Sequence, residues 1–433
     1  MKTATKKNRA FSKIMIMNLL STSITVLLGP MALEISFFFE VTISEIGFIS
    51  STFLILTGLL SFIWGVLADK RNRKFLLILS SSIWIAGTFF TGLMRTYCGL
   101  FIMQLIAAVG FSGIPPISFT LVIDLIVPAK RSFALGIAQM AILLGTGLGL
   151  ILGGILVEYF PWQLPFLIIS ILGMLSIVSL LNIKEPKRGV LDNMTKPNDE
   201  EVIKSSRFIS KRDFKEILTI KSNLLLMAYA FIKFINFGAV NFFFITMLQV
   251  EWGVTSSIAT LIMIGTYSIM IIGSPLLGKM GDKQYEKRIT GKVDTMIILL
   301  TLGPLFYILG FSYEFEVHQV LLFIFFIILI LTGAFFMSGE AGIGQSIFGD
   351  IDPPHIRSTV FSLQLIFSRI GQGFGIMIFT TFLLYSQNDY RIPFILISVI
   401  LLSSVLWIIP MRKTIKKDIA YLDRRYKNEI NIK

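Results

Sequence analysis

Apolar runs of about twenty residues, closed by short charged turns and repeated from Ile14 to Pro410, restrict this chain more than any other feature. Each is long enough to cross the hydrocarbon core of a bilayer as a helix, which takes about 20 residues. A backbone in lipid must satisfy its own hydrogen bonds, so only helices and closed barrels span it. The runs do not alternate apolar with polar residues as barrel strands do. The chain has 433 residues, 54% of them hydrophobic and 15% charged. Its mean hydropathy of +0.78 is more than a soluble domain can hide. The fold class is therefore an all-α, multi-pass membrane protein.

Twelve transmembrane helices fit the pattern: 14–38, 44–67, 75–94, 98–124, 131–156 and 163–183, then 222–248, 254–278, 293–312, 318–345, 357–384 and 390–411. The polar stretch 184–221, with Pro186 and Pro197, separates an N-terminal six-helix half (1–183) from a C-terminal one (222–411), and 412–433 reads as a tail. The first apolar run is too long for a signal peptide and lacks its cleavage site. Cations gather in the N-terminal tail, the 2–3 turn, the central linker, the 8–9 loop (Lys283, Lys287, Arg288, Lys292) and the C-terminal tail. The intervening loops carry Glu40, Glu45, Glu158, Glu251, Glu314 and Glu316. Basic segments stay inside, so both termini and the linker are expected in the cytoplasm, with the protein in the cell membrane. The same clustering at helix ends accounts for the net charge of +13 without a nucleic-acid partner. The lone Cys98 excludes an internal disulfide, and His318 and His355 lie far apart, so no metal or other cofactor is expected.

The halves repeat each other. Gly65-Val-Leu-Ala-Asp69-Lys70 returns as Gly278-Lys-Met-Gly-Asp282-Lys283, each at the end of a long apolar run. Asp124-x-x-x-Pro128-x-x-Arg131-Ser132 returns as Asp350-x-x-x-Pro354-x-x-Arg357-Ser358. Gly145-x-Gly147-x-Gly149 returns as Gly371-x-Gly373-x-Gly375, and Pro165-Phe166 as Pro393-Phe394. Four matches in one order exceed what shared helix-end composition produces. Two parallel six-helix repeats joined by a linker form a known transporter plan, with the substrate site between them near the bilayer midplane.

On these motifs the chain resembles the major facilitator superfamily over essentially its full length. Gly65-Val-Leu-Ala-Asp69-x-x-x-Arg73-Lys74 is similar to that superfamily's loop 2–3 motif, with Asn72 at the usual second glycine. Gly136, Gly145, Gly149, Gly153 and Gly154 resemble its antiporter motif, with Leu150 in place of the proline. The fourth helix departs from the family pattern: Gln104 and Gly110 stand where a mid-helix arginine and glycine are usual. Ile114-Pro-Pro116 to Asp124, Arg131-Ser132 and Gly145-Thr-Gly-Leu-Gly149 look like the Spinster-like branch, which is associated with lysolipids and sphingolipids. The resemblance implies a gating latch: Asp69, Arg73, Asp124 and Arg131, mirrored by Asp350 and Arg357. The competing reading is that these charges only anchor helix ends at the interface.

Ionisable groups deep in a span cost about 2.5–3.5 kcal/mol each on insertion scales, so they mark function or an ion pair. Glu340 falls near the middle of helix ten, Arg369 of helix eleven and Lys233 of helix seven, with Asn236 one turn on. The first half has Gln104, Gln139 and Asn18 at depth, and Glu34 towards the outer end of helix one. Glu340 and Arg369 read either as a structural ion pair or with Glu340 as a titratable coupling group; Lys233 then faces an anionic substrate group. These residues, with Asn236, Gln104 and Glu34, are the candidate substrate and coupling set.

The function expected is secondary active transport of a small, amphipathic organic solute by alternating access. The glycines of helix five lean towards export of a lysolipid or drug-like substrate, coupled to protons or another ion. The alternative is an uptake carrier for an organic anion or sugar. A receptor or scaffold on the same fold is disfavoured because the charges of both signs are kept. No catalytic residues are recognised, and no Walker A pattern supports an ATP-driven pump. The partners expected are the small-molecule solute and the lipid bilayer, with the chain acting as a monomer. Only the first copy of the turn motif follows its aspartate with an arginine four residues on. Asp69→Asn is therefore expected to slow turnover more than Asp282→Asn; equal effects in a transport assay would reject the asymmetry.

Overall fold

The computed structural model describes residues 2–126, 131–183, 185, 217–313, 319–352 and 357–420, and among them all regular structure is helical. In chain order α1 has two pieces, α1a (Lys2–Ser23) and α1b (Ala32–Phe39). Then come α2 (Ile43–Lys70), α3 (Arg73–Thr91), α4a (Tyr97–Phe111) and α4b (Ile114–Leu125), α5 (Arg131–Leu150) and α6 (Gln163–Leu181). The second set is α7 (Lys221–Trp252), α8 (Ser256–Lys287), α9 (Gly291–Phe311), α10 (Val320–Ile351), α11 (Arg357–Tyr385) and α12 (Arg391–Ser403). Eleven helices among the described residues are long and apolar enough to cross a membrane; α1, broken in the middle, supplies the twelfth in two pieces. The protein is thus an integral, multi-pass membrane protein. Of the expected linker, residues 184 and 186–216 lie outside the described residues, as do 421–433 of the tail.

Three expected spans differ in detail, each for a local reason. The first is not continuous. Ser21, Thr22, Ser23 and Thr25 turn their hydroxyls back onto carbonyls three or four residues earlier, and Ile24–Val26 tightens to a 3₁₀ turn. Pro30 then withholds an N–H, so the helix stops before α1b restarts. The fourth span divides at Ser112 and Gly113, with Pro115 and Pro116 in the first turn of the new piece, where a missing N–H costs nothing. The second copy of the turn motif is not a turn at all: α8 runs through Gly278–Lys283 to Lys287. The matching Gly65–Lys70 is likewise helical, at the end of α2, but there the chain turns directly afterwards, at Arg71 and Asn72, because Asn72 caps α3, its Oδ1 accepting from Phe75 N–H at 2.8 Å. Gln284, Tyr285 and Glu286 offer no such cap and continue the helix.

The chain divides into two compact units: Met1–Phe208 with Asn241–Thr246 and Thr255–Thr260, and Ile209–Val240 with Met247–Val254 and Leu261–Lys433. The repeated glycines do the same work in each. In the first, a Cβ at Gly145 or Gly149 would overlap the carbonyl oxygens of Leu19 or Ser23, so α5 lies directly on the backbone of α1a. In the second, a Cβ at Gly371 or Gly375 would overlap those of Phe231 and Ile235, so α11 lies on α7. Helices in lipid have no hydrophobic drive to associate and rely on such close small-residue packing. Gly147, on the other side of α5, meets nothing within 4 Å.

Charges at the helix ends also have specific partners. Glu45 completes a capping box with Thr42 at the start of α2. Glu158 accepts from Ser257 N–H at the start of α8, and Glu251 from Tyr390 N–H just before α12. Burial, and then the Glu251 carboxylate, hold the Tyr390 phenol above its ordinary range. Carboxylates are favourable at helix N-termini and cations at C-termini. Accordingly Lys13 and Lys74 donate to Ser179 and Leu181 carbonyls, closing the C-terminus of α6. The acids and bases that mark topology in the sequence therefore also finish helices.

The contrast among the α5 glycines is testable by thermal unfolding in detergent. Gly149→Val forces α5 off α1a and is expected to cost at least the ~1–3 kcal/mol typical of overpacking. Gly147→Ala is expected to be neutral or to stabilise by up to about 1 kcal/mol through helix propensity.

Candidate functional site

The deep polar cluster belongs to the second unit and is built on one face of α7. Tyr229 and Lys233 are four residues apart, hence neighbours on a helix surface. Both reach the Glu340 carboxylate of α10: the Lys233 ammonium pairs with Oε1, and the Tyr229 hydroxyl donates to Oε2. The Glu340 side chain is 0% exposed and that of Lys233 16%, so the acid is sealed while the base has an open side. Tyr307 of α9 lies close enough to feel the Glu340 charge. Lys233 also stands 5.3 Å from the centre of the Phe234 ring. One turn further along the same face, Asn236 is 7% exposed, and its Nδ2 has no hydrogen-bond partner among the described residues.

This arrangement corrects the pairing expected from span positions. Glu340 is matched by Lys233, and the Arg369 guanidinium instead donates to Gln372 Oε1 at 3.2 Å within α11. Position along a span sets depth but not the side of the helix, and Tyr229–Lys233 is the face of α7 that meets α10. Tyr229 escaped the sequence reading because a tyrosine in an apolar run is unremarkable; its i, i+4 spacing to Lys233 was the available signal. Of the other candidates, Gln104 is buried and donates to Thr91 Oγ1 at 3.3 Å, joining α4a to α3. Glu34 is half-buried in the first turn of α1b, where the helix N-terminus favours a carboxylate.

Of the latch candidates, Arg73 in the first unit and Asp350 in the second have described side chains, both near helix ends. Arg73, 5% exposed, begins α3. Its N–H donates to Glu185 Oε1 at 2.9 Å, its Nε lies 3.8 Å from the same oxygen, and Nη1 donates to the Thr120 carbonyl at 3.3 Å. In the second unit Lys292, also 5% exposed, occupies the second residue of α9. Its ammonium reaches Asp350 Oδ2 at 2.6 Å and Ser346 Oγ at 2.7 Å, and lies 4.3 Å from the Tyr285 ring centre. Thr120 and Ser346 each precede the repeated aspartate, Asp124 or Asp350, by one helical turn. Lys292 is therefore the counterpart of Arg73. Aligning the copies from Asp282 hides it, because α8 continues and delays the start of α9. The side chains of Asp69, Asp124, Arg131 and Arg357 lie outside the described residues; their backbones are in α2, α4b, α5 and α11.

The second unit has a further polar layer here. Asn223 Nδ2 donates to Asp352 Oδ1 at 2.6 Å, Asp418 accepts from Ser222 N–H at 3.0 Å, and Arg412 pairs with Asp294 at 2.5 Å. Thus the helical start of the tail closes the N-terminus of α7. Glu185 does the same for α3 in the first unit.

Comparison with known proteins agrees with this architecture. The profile of the Major Facilitator Superfamily matches residues 14–290 and 226–423. A "Multi-drug resistance efflux pump PmrA homolog" of Lactococcus lactis subsp. lactis (strain IL1403) is 27% identical over 379 residues, covering 83% of this chain and 84% of that protein. The "Sphingosine-1-phosphate transporter SPNS2" of Danio rerio is 31% identical over 166 residues, 37% of this chain and 32% of its own. A crystal structure of a bacterial homolog to the human lysosomal transporter Spinster, inward-facing and unoccupied, superposes with a TM-score of 0.78 at 19% identity, covering 95% of this chain and 98% of that one.

Removing one partner of a buried pair strands the other, at about 3–5 kcal/mol. Lys233→Met is expected to destabilise by about that much, and Lys233→Met with Glu340→Gln to recover most of it. A double-mutant cycle on unfolding in detergent measures the coupling; additive losses would mean the two groups do not hold each other.

Proposed function

The chain belongs to the Major Facilitator Superfamily, and we propose that it is a secondary active transporter of a small amphipathic organic solute, working by alternating access and coupled to protons through Glu340. The observation carrying this reading is the Glu340–Lys233–Tyr229 cluster. A lone charge at a span centre is costly and is tolerated where it serves a site. Here the pair is neutral as a whole, and both members lie on helices that rearrange in a rocking mechanism. Proton arrival at Glu340 ends the pairing and leaves Lys233 charged, which is a change of state a transport cycle can use.

Both termini face the cytoplasm of the cell in this proposal, and the charges at the basic ends gate the pathway. Arg73 with Glu185, and Lys292 with Asp350, supply the paired charges such a latch requires. The latch proposed also includes Asp69, Asp124 and Arg131 in the first unit and Arg357 in the second. The lactococcal relative, named as a multi-drug resistance efflux pump homolog, supports export of a drug-like solute. One observation favours the second reading, uptake of an organic anion: the deep carboxylate already has a cation, Lys233, so a cationic drug has no free acid to occupy there.

Glu340→Gln is expected to abolish uphill transport in proteoliposomes while sparing exchange of solute down its gradient. Uphill transport equal to the parent's would remove Glu340 from coupling and leave the pair a structural one.

A further inference from the structure

We infer that Lys233 and Asn236 form a receptor for an acidic headgroup that protonation of Glu340 unmasks, so that proton and organic anion bind together and move in the same direction. This deepens the second reading proposed above, uptake of an organic anion, and rests on it.

The argument begins with which group is sealed. Glu340 is fully enclosed, whereas Lys233 keeps an open side. In the resting pair the carboxylate occupies the ammonium. A proton on Glu340 removes that anion from Lys233, and the ammonium then stands in an apolar surrounding without its counter-charge. Such a state is unfavourable until another anion arrives. The ligand's acidic group is that anion. Binding of the proton thus favours binding of the anion, and by linkage the anion favours the proton equally. A carboxylate with no cation beside it has the opposite logic, since proton and cationic ligand compete for it. The built-in lysine therefore decides the sign of coupling.

The second observation is independent of charge. Asn236 follows Lys233 by three residues on the same face of α7. It is more than nine-tenths buried, and its Nδ2 has no partner among the described residues. A buried donor without a partner is costly, and an oxygen-rich headgroup at Lys233 would satisfy it. The Phe234 and Phe237 rings, 5.5 Å apart and edge to face, provide apolar surface on the same turn of α7. The ligand class is a sulfonate, carboxylate or phosphate monoester with an apolar tail.

Every group facing Glu340 is consistent with this cycle. From α7 come Lys233 and Tyr229, and from α9 the phenol Tyr307, which in turn feels Tyr267 of α8. From α8, Leu277 packs beside Gly339 and brings no charge. On α11 the cation at comparable depth is Arg369, hydrogen-bonded to Gln372. Among these described groups Glu340 is the one carboxylate.

The test is calorimetric titration of the purified full-length protein in a non-ionic detergent with octanesulfonate, whose charge does not change with pH, and with octyltrimethylammonium. Titrations in buffers of different ionisation enthalpy count the protons exchanged. Octanesulfonate is expected to bind with uptake of about one proton, its affinity rising up to about tenfold for each pH unit lowered. Glu340→Gln should bind it tightly at every pH with no proton uptake. Lys233→Met should lose that binding by more than about tenfold, and Asn236→Leu by a smaller factor. Proton release on binding octyltrimethylammonium, octanesulfonate binding without proton uptake, or no saturable octanesulfonate binding would each overturn the inference. Failure of the transport reading itself is separate: it is seen as absence of any solute counterflow in proteoliposomes, whatever the proton count.

Discussion

The crossing of α11 over α7 at Gly371 and Gly375 is the contact on which the site depends. Backbone lies on backbone there, which fixes how α7 is rotated about its own axis. That rotation turns Tyr229 and Lys233 towards Glu340 of α10. The first unit uses the same device, Gly145 and Gly149 on Leu19 and Ser23. Its α1a carries the uncharged Asn18, Ser21, Thr22 and Ser23 at that level, each bonded back to its own helix. Two units with one packing rule therefore differ in chemistry: the second holds the deep ion pair, and the first presents a quieter interior.

Glycine is the only residue that allows these crossings, and this accounts for the repeat in the sequence more directly than any gating role does. A glycine in a helix costs about 1 kcal/mol against alanine. Keeping two of them four residues apart in both halves is sensible only where the close approach gives more in return. Gly147 has no such contact, so in the first unit the Gly-x-Gly-x-Gly pattern overstates the constraint at its middle position. The outer two positions do the packing.

Much of the fold was legible because lipid leaves few options. Apolar length places the helices, and the order of motifs places the repeat. What escaped was whatever depends on helix rotation or on local capping. The break in α1 follows from hydroxyls bonding backwards before Pro30, a pattern that an apolar count overlooks. The continuation of α8 through Gly278–Lys283 follows from the lack of a residue doing what Asn72 does at 71–72. The Glu340–Lys233 pair needed the azimuth of α7, which hydropathy does not carry. Glu185 and Lys292 were visible only as charges in a linker and a loop until the starts of α3 and α9 were placed.

Arg73 and Lys292 show how a pseudo-symmetric pair can diverge and still do one job. Each begins the third helix of its unit, each is buried to the same degree, and each reaches back one turn before the repeated aspartate. The first unit adds an acid from the segment leaving its sixth helix, Glu185, which meets the start of α3. The second unit adds a base from the segment leaving its own sixth helix, Arg412, which meets Asp294 near the start of α9. The sign is reversed but the connection is conserved in form: in both units the chain that exits the last helix returns to close the third. A movement of α3 or α9 is therefore passed to the linker or the tail through a single ion pair. The Arg412–Asp294 pair is the more exposed of the two; exposed pairs are individually weak, about 0–1 kcal/mol each, and so can exchange partners. The Glu340–Lys233 pair, with its carboxylate sealed from solvent, is held much more firmly.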